Sequence, residues 1–164
     1  MSSALIKAIY RRLVGQEVLT GSYLTAQQTL ARLLGTDPDT GLPSVHKGNS
    51  SDVVSYPAIT FRESAGVVDK RFTHGDTAIG VVSVDDPIYD FEIWGNSRSG
   101  TELSAIDDAF VLLLDQRKGV PFLPLTSGAI DRMVSFMTPI SLYDDIRHAW
   151  CLTRRIAFKE RFSA

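Results

Sequence analysis

Catalysis needs side chains that converge, and this sequence offers few that do. Asp85-Asp86, Asp107-Asp108 and Asp144-Asp145 each set two acids side by side, while Asp90 and Glu92 stand two apart. Residues two apart on a strand share a face, so Asp90 and Glu92 could hold a magnesium ion together, as in a metal-dependent nuclease. A nuclease built on strand-borne acids also wants a lysine two residues after its second acid. The five lysines, Lys7, Lys47, Lys70, Lys118 and Lys159, have Leu5, Val45, Val68, Gln116 and Ala157 at that offset, so the pattern is missing. Adjacent residues diverge on a helix, which reads Asp107-Asp108 as a solvated helix face. The other two adjacent pairs flank expected turns, where aspartate bonds to nearby backbone N–H groups.

Other reactive patterns are missing too. The chain contains no GxxxxGK[ST] or GxGxxG phosphate loop and no GxSxG nucleophile turn. Cys151 has His148 three residues before it, and along one strand those two point to opposite faces, which denies them a local Cys–His couple. His46, His74 and His148 lie far apart, outside any HxH or HExxH spacing, and one cysteine cannot build a zinc knuckle. The expectation is a protein that is not an enzyme and holds no cofactor or metal. A basic cluster closes the chain: Arg147, Arg154, Arg155, Lys159 and Arg161. On a strand, Arg155 and Lys159 fall opposite Trp150 and Leu152. They read as a solvated face that discourages edge pairing, or as a contact for an acidic partner or passing DNA.

The elements that must position these groups are those of an ordinary globular chain. Its 164 residues are 44% hydrophobic and 22% charged with a formal net charge of −2, enough for one core and too little positive charge to attract nucleic acid overall. The apolar run Phe110 to Leu114 falls far short of the roughly 20 residues that cross a bilayer, so no membrane role is expected. The start lacks the charged-then-apolar pattern of a signal peptide, and a lone thiol suits a reducing cytoplasm.

Hydrophobic spacing predicts a first helix over Ser3 to Val14, with Leu5, Ile6, Ile9, Leu13 and Val14 inward and Lys7, Arg11 and Arg12 outward. Ser3 would cap its start and Gly15 its end. A second helix is predicted over Thr25 to Leu34, closed by Gly35. Residues 36–55 read as a long loop in which only Leu42 to His46 is extended. A strand follows over Tyr56 to Arg62, with Pro57 marking an edge or a strand entry. Gly66 to Val84 reads as an extended hairpin, making 66–86 the second long excursion. Ile88 to Trp94 is the clearest strand, with Tyr89, Phe91 and Ile93 on one face and Asp90 and Glu92 on the other. A helix over Thr101 to Gln116 has a Ser99/Glu102 capping box and an apolar face of Leu103, Ile106, Phe110 and Leu113. Strands over Arg132 to Thr138 and His148 to Phe158 close the chain; on the last, Arg154 interrupts the apolar row of Trp150, Leu152, Ile156 and Phe158. The expected fold is a single α+β domain over 1–164, a mainly antiparallel sheet with helices packed on one face.

Short phrases along this layout resemble the bacteriophage tail-terminator (tail-completion) family, the lambda-like group. They are the helix Ala4-Leu5-Ile6-Lys7-Ala8-Ile9-Tyr10-Arg11-Arg12-Leu13, the strand Tyr56-Pro57-Ala58-Ile59-Thr60-Phe61, and Tyr89-Asp90-Phe91-Glu92-Ile93-Trp94-Gly95 leading through a serine-rich turn into the helix Glu102 to Leu114. The closing strand His148-Ala149-Trp150-Cys151-Leu152-Thr153-Arg154 completes the likeness, which is strongest from Ile88 to Leu114. The resemblance implies a homo-hexameric ring at the head-proximal end of the tail tube, contacting the tail tube protein and a neck or head-completion protein. DNA would pass through the lumen without sequence-specific binding. It implies a place in the virion, at the tail or neck, after assembly in the host cytoplasm. Contacts with a neighbour or the tube are expected at Val67, Val68, Lys70, Arg71 and Phe72 of the hairpin and at Arg155, Lys159 and Arg161. A head-completion or connector adaptor of the neck is the alternative within structural proteins.

Overall fold

Apolar residues three and four apart make the first two helices amphipathic, and both turn their apolar sides to one core. In the computed structural model these are α1 (Ser3–Leu13) and α2 (Gly21–Leu33). The structure describes residues 3–48, 53, 55–64, 87–95, 101–125, 128–135 and 139–161, with backbone alone for Ser3, 128–135 and 159–161. The expected hairpin at 66–84, the acids Asp85-Asp86, His74, the Ser99 and Ser3 caps, Phe136 and Met137 therefore lie outside the described residues or side chains.

Leu5, Ile9 and Leu13 of α1 and Leu30 of α2 are fully buried. Past α1, Gly15 takes a φ of +83°, where a Cβ is disfavoured, and the Gln16 N–H returns to the Arg11 carbonyl at 2.9 Å. The second helix begins earlier than the expected Thr25. Gly35 has a different reason to be glycine than ending that helix. A Cβ there would meet the Ser55 hydroxyl and lie 2.9 Å from the Tyr56 carbonyl oxygen. The chain threads Gly35 between two strand entries, its N–H donating to Pro57 O (2.8 Å) and its carbonyl accepting from Ser44 N (2.7 Å).

Those bonds order part of the stretch expected to be loop. Thr36 and Pro43 form an isolated antiparallel bridge, and β1 (Val45–Lys47) pairs in parallel with β2 (Ala58–Glu63). Pro57 thus stands at a strand entry and not on an edge, because β1 covers that side of β2. Beyond β2 lie β3 (Ile88–Gly95), α3 (Thr101–Leu114), a 3-10 turn (Gln116–Lys118), β4 (Pro124–Leu125), β5 (Gly128–Ser135), β6 (Ile140–Asp144) and β7 (Ala149–Arg161). The sheet runs β1-β2-β3-β7-β5-β4, and β6 also pairs with β7. Every pairing but β1–β2 is antiparallel. The architecture is α+β, as expected, although β4 and β6 were not anticipated and β5 starts before the predicted Arg132.

Helices cover one face of the sheet. Tyr89, Phe91 and Ile93 of β3, Ile59 and Phe61 of β2, and Ile156 and Phe158 of β7 fill it, all at most 1% exposed. The rings pack closely: Phe61 stacks on Phe91 (centroids 5.6 Å), Phe91 meets Phe110 of α3 at 4.9 Å, and Phe158 stands edge-on to Tyr89 at 5.6 Å. Leu103, Ile106, Phe110 and Leu113 are buried, as the spacing predicts. The helix stops at Leu114, where buried Asp115 accepts from the Arg117 N–H (3.0 Å) and from its Nη2 (2.6 Å) to set the 3-10 turn. Burial opposes charge on Asp115, yet these bonds and the neighbouring cations hold its carboxyl below the usual range.

Two charges expected at the surface, Arg12 and Asp107, lie inside. Arg12 is fully buried: its guanidinium clamps both Glu17 carboxylate oxygens (2.8 and 2.6 Å) and donates to the carbonyls of Pro121 (2.6 Å), Phe122 (3.1 Å) and Leu113 (3.3 Å). Asp107, expected on a solvated helix face, is 7% exposed and takes both Nε and Nη2 of Arg154. The interruption in the apolar row of β7 is thereby explained: Arg154 lies on the core face and ties β7 to α3. A carboxylate and a guanidinium buried together form the bidentate pair that each alone would lack.

Candidate functional site

Register carries single rows of residues across five strands, β1-β2-β3-β7-β6. His46, Thr60, Glu92, Thr153 and Ile140 form one row, and Ala58, Trp94, Cys151 and Leu142 form its neighbour. A third row is Arg62, Asp90 and Arg155. These rows lie on the face away from the helices, where Asp90 and Glu92 were placed by their alternation with Tyr89, Phe91 and Ile93.

The chemistry of that face is already committed within it. Asp90 accepts from Arg155 Nε (2.6 Å) and Nη2 (3.3 Å), an arrangement that raises the guanidinium's pKa and neutralises the acid most needed for a metal site. Glu92 accepts from the Thr60 hydroxyl at 3.3 Å. Cys151 lies opposite Leu142 and, among the described residues, has the Thr153 hydroxyl within reach at 4.0 Å. Burial pushes its thiol up to about 12, and the nearby Glu92 charge adds to the rise. It is a protonated, poorly nucleophilic group at physiological pH. His148 sits in the turn before β7 with φ +51°, and His46 bonds Ser44 Oγ at 2.9 Å through Nε2. Among the described residues, no three His, Cys, Asp or Glu side chains gather as metal ligands would.

The tip of this face is built by the β6–β7 hairpin. Asp144 caps its turn, accepting from the N–H groups of Ile146 (2.9 Å) and Arg147 (3.0 Å), which holds its carboxyl below the usual range. This is the turn chemistry expected of Asp144-Asp145. Arg147 reaches back to Asp144 Oδ2 (3.0 Å) and lies over the Trp94 ring at 5.0 Å. Apolar side chains surround it in the open: Ile140 is 52%, Leu142 65% and Ile146 92% exposed. Spacing two apart puts Ile140 and Leu142 on one side of β6. A second feature, a shallow groove between α2 and α3, is walled by Ala26, Ala105 and Ala109 with Asp108 at its rim.

The residues expected to make contacts are divided by the structure. Val67, Val68, Lys70, Arg71 and Phe72 lie outside the described residues. Lys159 and Arg161 belong to β7 by their backbone, paired with Arg132 and Ala129 of β5. Of the other basic residues near the chain's end, Arg154 pairs with Asp107 on the core side, Arg155 is held by Asp90, and Arg147 is in the hairpin turn. Sequence reading missed Ile140, Leu142 and Ile146. Their only signal was alternation over three residues, too short to separate a strand from a loop.

No protein-family profile and no curated protein sequence matches the chain. Among solved structures, a chain of the "virion of native gene transfer agent (GTA) particle" has the same fold, with a TM-score of 0.58. The likeness covers 96% of each chain at 14% identity. It is one of fold, spanning helices and sheet alike. No helix among the described residues is long and apolar enough to cross a membrane.

Proposed function

We propose that this chain is a structural subunit of a phage-like virion, a tail terminator that closes the head-proximal end of a tail tube as a ring, with six copies the expected number. The observation that carries the reading is the fold shared with a virion chain over 96% of both proteins. Two features support it. On the sheet face away from the helices Asp90 is tied up in an ion pair, Glu92 is hydrogen-bonded to Thr60 and the Cys151 thiol is kept protonated, which argues against catalysis. Exposed apolar residues on an edge strand suit assembly. The partners would be further copies of the chain, the tail tube protein and a neck protein, with DNA passing through the lumen unread. Tube or neighbour contacts would come from Val67, Val68, Lys70, Arg71 and Phe72, joined by Lys159, Arg161 and Arg155 in the orientation Asp90 gives it.

Electron microscopy of the purified protein mixed with tail tubes tests this. Rings capping tube ends are the expected result. Binding to portal complexes in place of tube ends would make it an adaptor of the neck. Magnesium-dependent DNA cleavage lost in Asp90→Ala would overturn the structural reading altogether.

A further inference from the structure

We infer that β6 is an assembly edge, onto which the β1 edge of a second copy of this chain adds as an antiparallel strand, so that the sheet continues from one subunit to the next. The inference rests on the ring reading above and names the surface that joins its subunits.

The five-strand row has two ends, and among the described residues neither is paired beyond β6 or β1. An edge strand presents unpaired backbone N–H and C=O groups, and what satisfies them best is another strand. On the β1 side, the bonds Ile59 N to Ser44 O (3.0 Å) and Gly48 N to Phe61 O (2.9 Å) fix which groups face β2. The parallel ladder alternates, so the N–H and C=O of Val45 and Lys47 point away from the sheet. β6 carries none of the usual protection of an edge. Its five residues Ile-Ser-Leu-Tyr-Asp include no lysine or proline, and its register with β7 runs unshifted from Ile140 to Asp144. Ile140, Ser141 and Leu142 are exposed and uncharged where a protected edge would carry charges.

The occupant follows from the sheet itself. Tracing directions from β1 through β2, β3 and β7 leaves β6 antiparallel to β1. A neighbour brought in by rotation, with its sheet continuing this one, therefore presents β1 antiparallel to β6. His46 and Ile140 already lie in one row, so the two edges meet level, with His46 of the neighbour opposite Ile140 or, two residues along, Leu142. Either register keeps the helices of both copies on one side, because side chains alternate with period two. One edge gives and a different edge receives, which is the head-to-tail contact that closes rings.

Native mass spectrometry of the full chain supplies the test. Wild-type protein should give one closed oligomer, and Leu142→Lys should give a folded monomer with an unchanged circular-dichroism spectrum. Disulfide trapping keeps the test independent of that variant, in a Cys151→Ser background because Cys151 lies opposite Leu142. A chain carrying both His46→Cys and Leu142→Cys should oxidise to a covalent ladder ending at the ring, while either cysteine alone should yield no crosslink. An unchanged oligomer for Leu142→Lys would overturn the edge assignment and leave the ring reading standing. Crosslinked dimers from Leu142→Cys alone would mean two-fold pairing of β6 with itself, and would overturn it as well. Wild type that forms no ring, alone or on tube ends, would remove the ring reading and this inference together.

Discussion

Replacing Arg12 by methionine should be among the most damaging single changes in the protein. The side chain has no exposed surface, and its guanidinium satisfies a carboxylate and three backbone carbonyls at once. Methionine roughly fills the volume but donates nothing, leaving Glu17, itself 14% exposed at its side chain, as an uncompensated charge. Breaking one partner of a buried pair costs about 3–5 kcal/mol. For a chain of this size each kcal/mol lowers Tm by about 2–4 °C, so a loss of about 4 kcal/mol predicts a fall of about 8–16 °C. Urea unfolding followed by circular dichroism measures it, provided the midpoint is compared at two protein concentrations so that assembly does not enter. The companion change Glu17→Met removes the stranded charge. Arg12→Met with Glu17→Met should recover about 2 kcal/mol of the loss, the remainder belonging to the carbonyls of Leu113, Pro121 and Phe122 left without a donor. A cost below about 1 kcal/mol for Arg12→Met, or no recovery in the double variant, would refute the claim that this network holds α1 to the segment after α3.

Phe110→Ala removes the α3 ring that contacts Phe91 at 4.9 Å and should cost about 3–5 kcal/mol, read as a lower urea midpoint; an unchanged midpoint would show the helix face to be misassigned. Cys151, with its thiol near 12, should react with a thiol reagent at pH 8 on the order of a thousandfold more slowly in the native protein than after unfolding. Equal rates would contradict its burial. Asp115 has a folded pKa below the ordinary value of 3.8, so the stability it contributes is present above that value and is lost as pH falls through the folded one. Asp115→Asn should accordingly flatten the fall in stability on the acid side of about pH 4, measured as Tm against pH.

The sequence made the core legible because burial leaves a periodic mark. The period of two in Ile88 to Trp94 placed Tyr89, Phe91 and Ile93 against the helices, and the spacing of Leu103, Ile106, Phe110 and Leu113 gave α3 its inner face. Legibility ended where a polar residue was used against its usual preference. Arg12 and Asp107 carry charges that pattern reading assigns to solvent, and only their pairing with Glu17 and Arg154 makes that burial tolerable. Nothing local links Asp107 to Arg154, which are far apart in the chain. Short elements failed for a different reason. β1 and β6 owe their existence to neighbours, β2 and β7, and three to five residues carry too little alternation to announce a strand. Along β7 the period of two separates Arg154, in the row of Leu152 and Ile156, from Arg155, which Asp90 holds on the other face.

That distribution bears on function. Charged residues near the sheet are the raw material of an active site, yet here they hold elements together: Arg12 binds α1 to the segment after α3, Arg154 binds β7 to α3, and Arg155 binds β7 to β3. A carboxylate locked against a guanidinium would have to give up that pair before it could take a metal or a proton, at a cost in stability. At the β6 edge and its turn, by contrast, the apolar side chains of Ile140, Leu142 and Ile146 stand exposed. The same exposed apolar edge is where the proposed subunit contact would form, so substitutions at Ile140 or Leu142 bear on assembly while those at Arg12, Arg154 or Arg155 bear on stability.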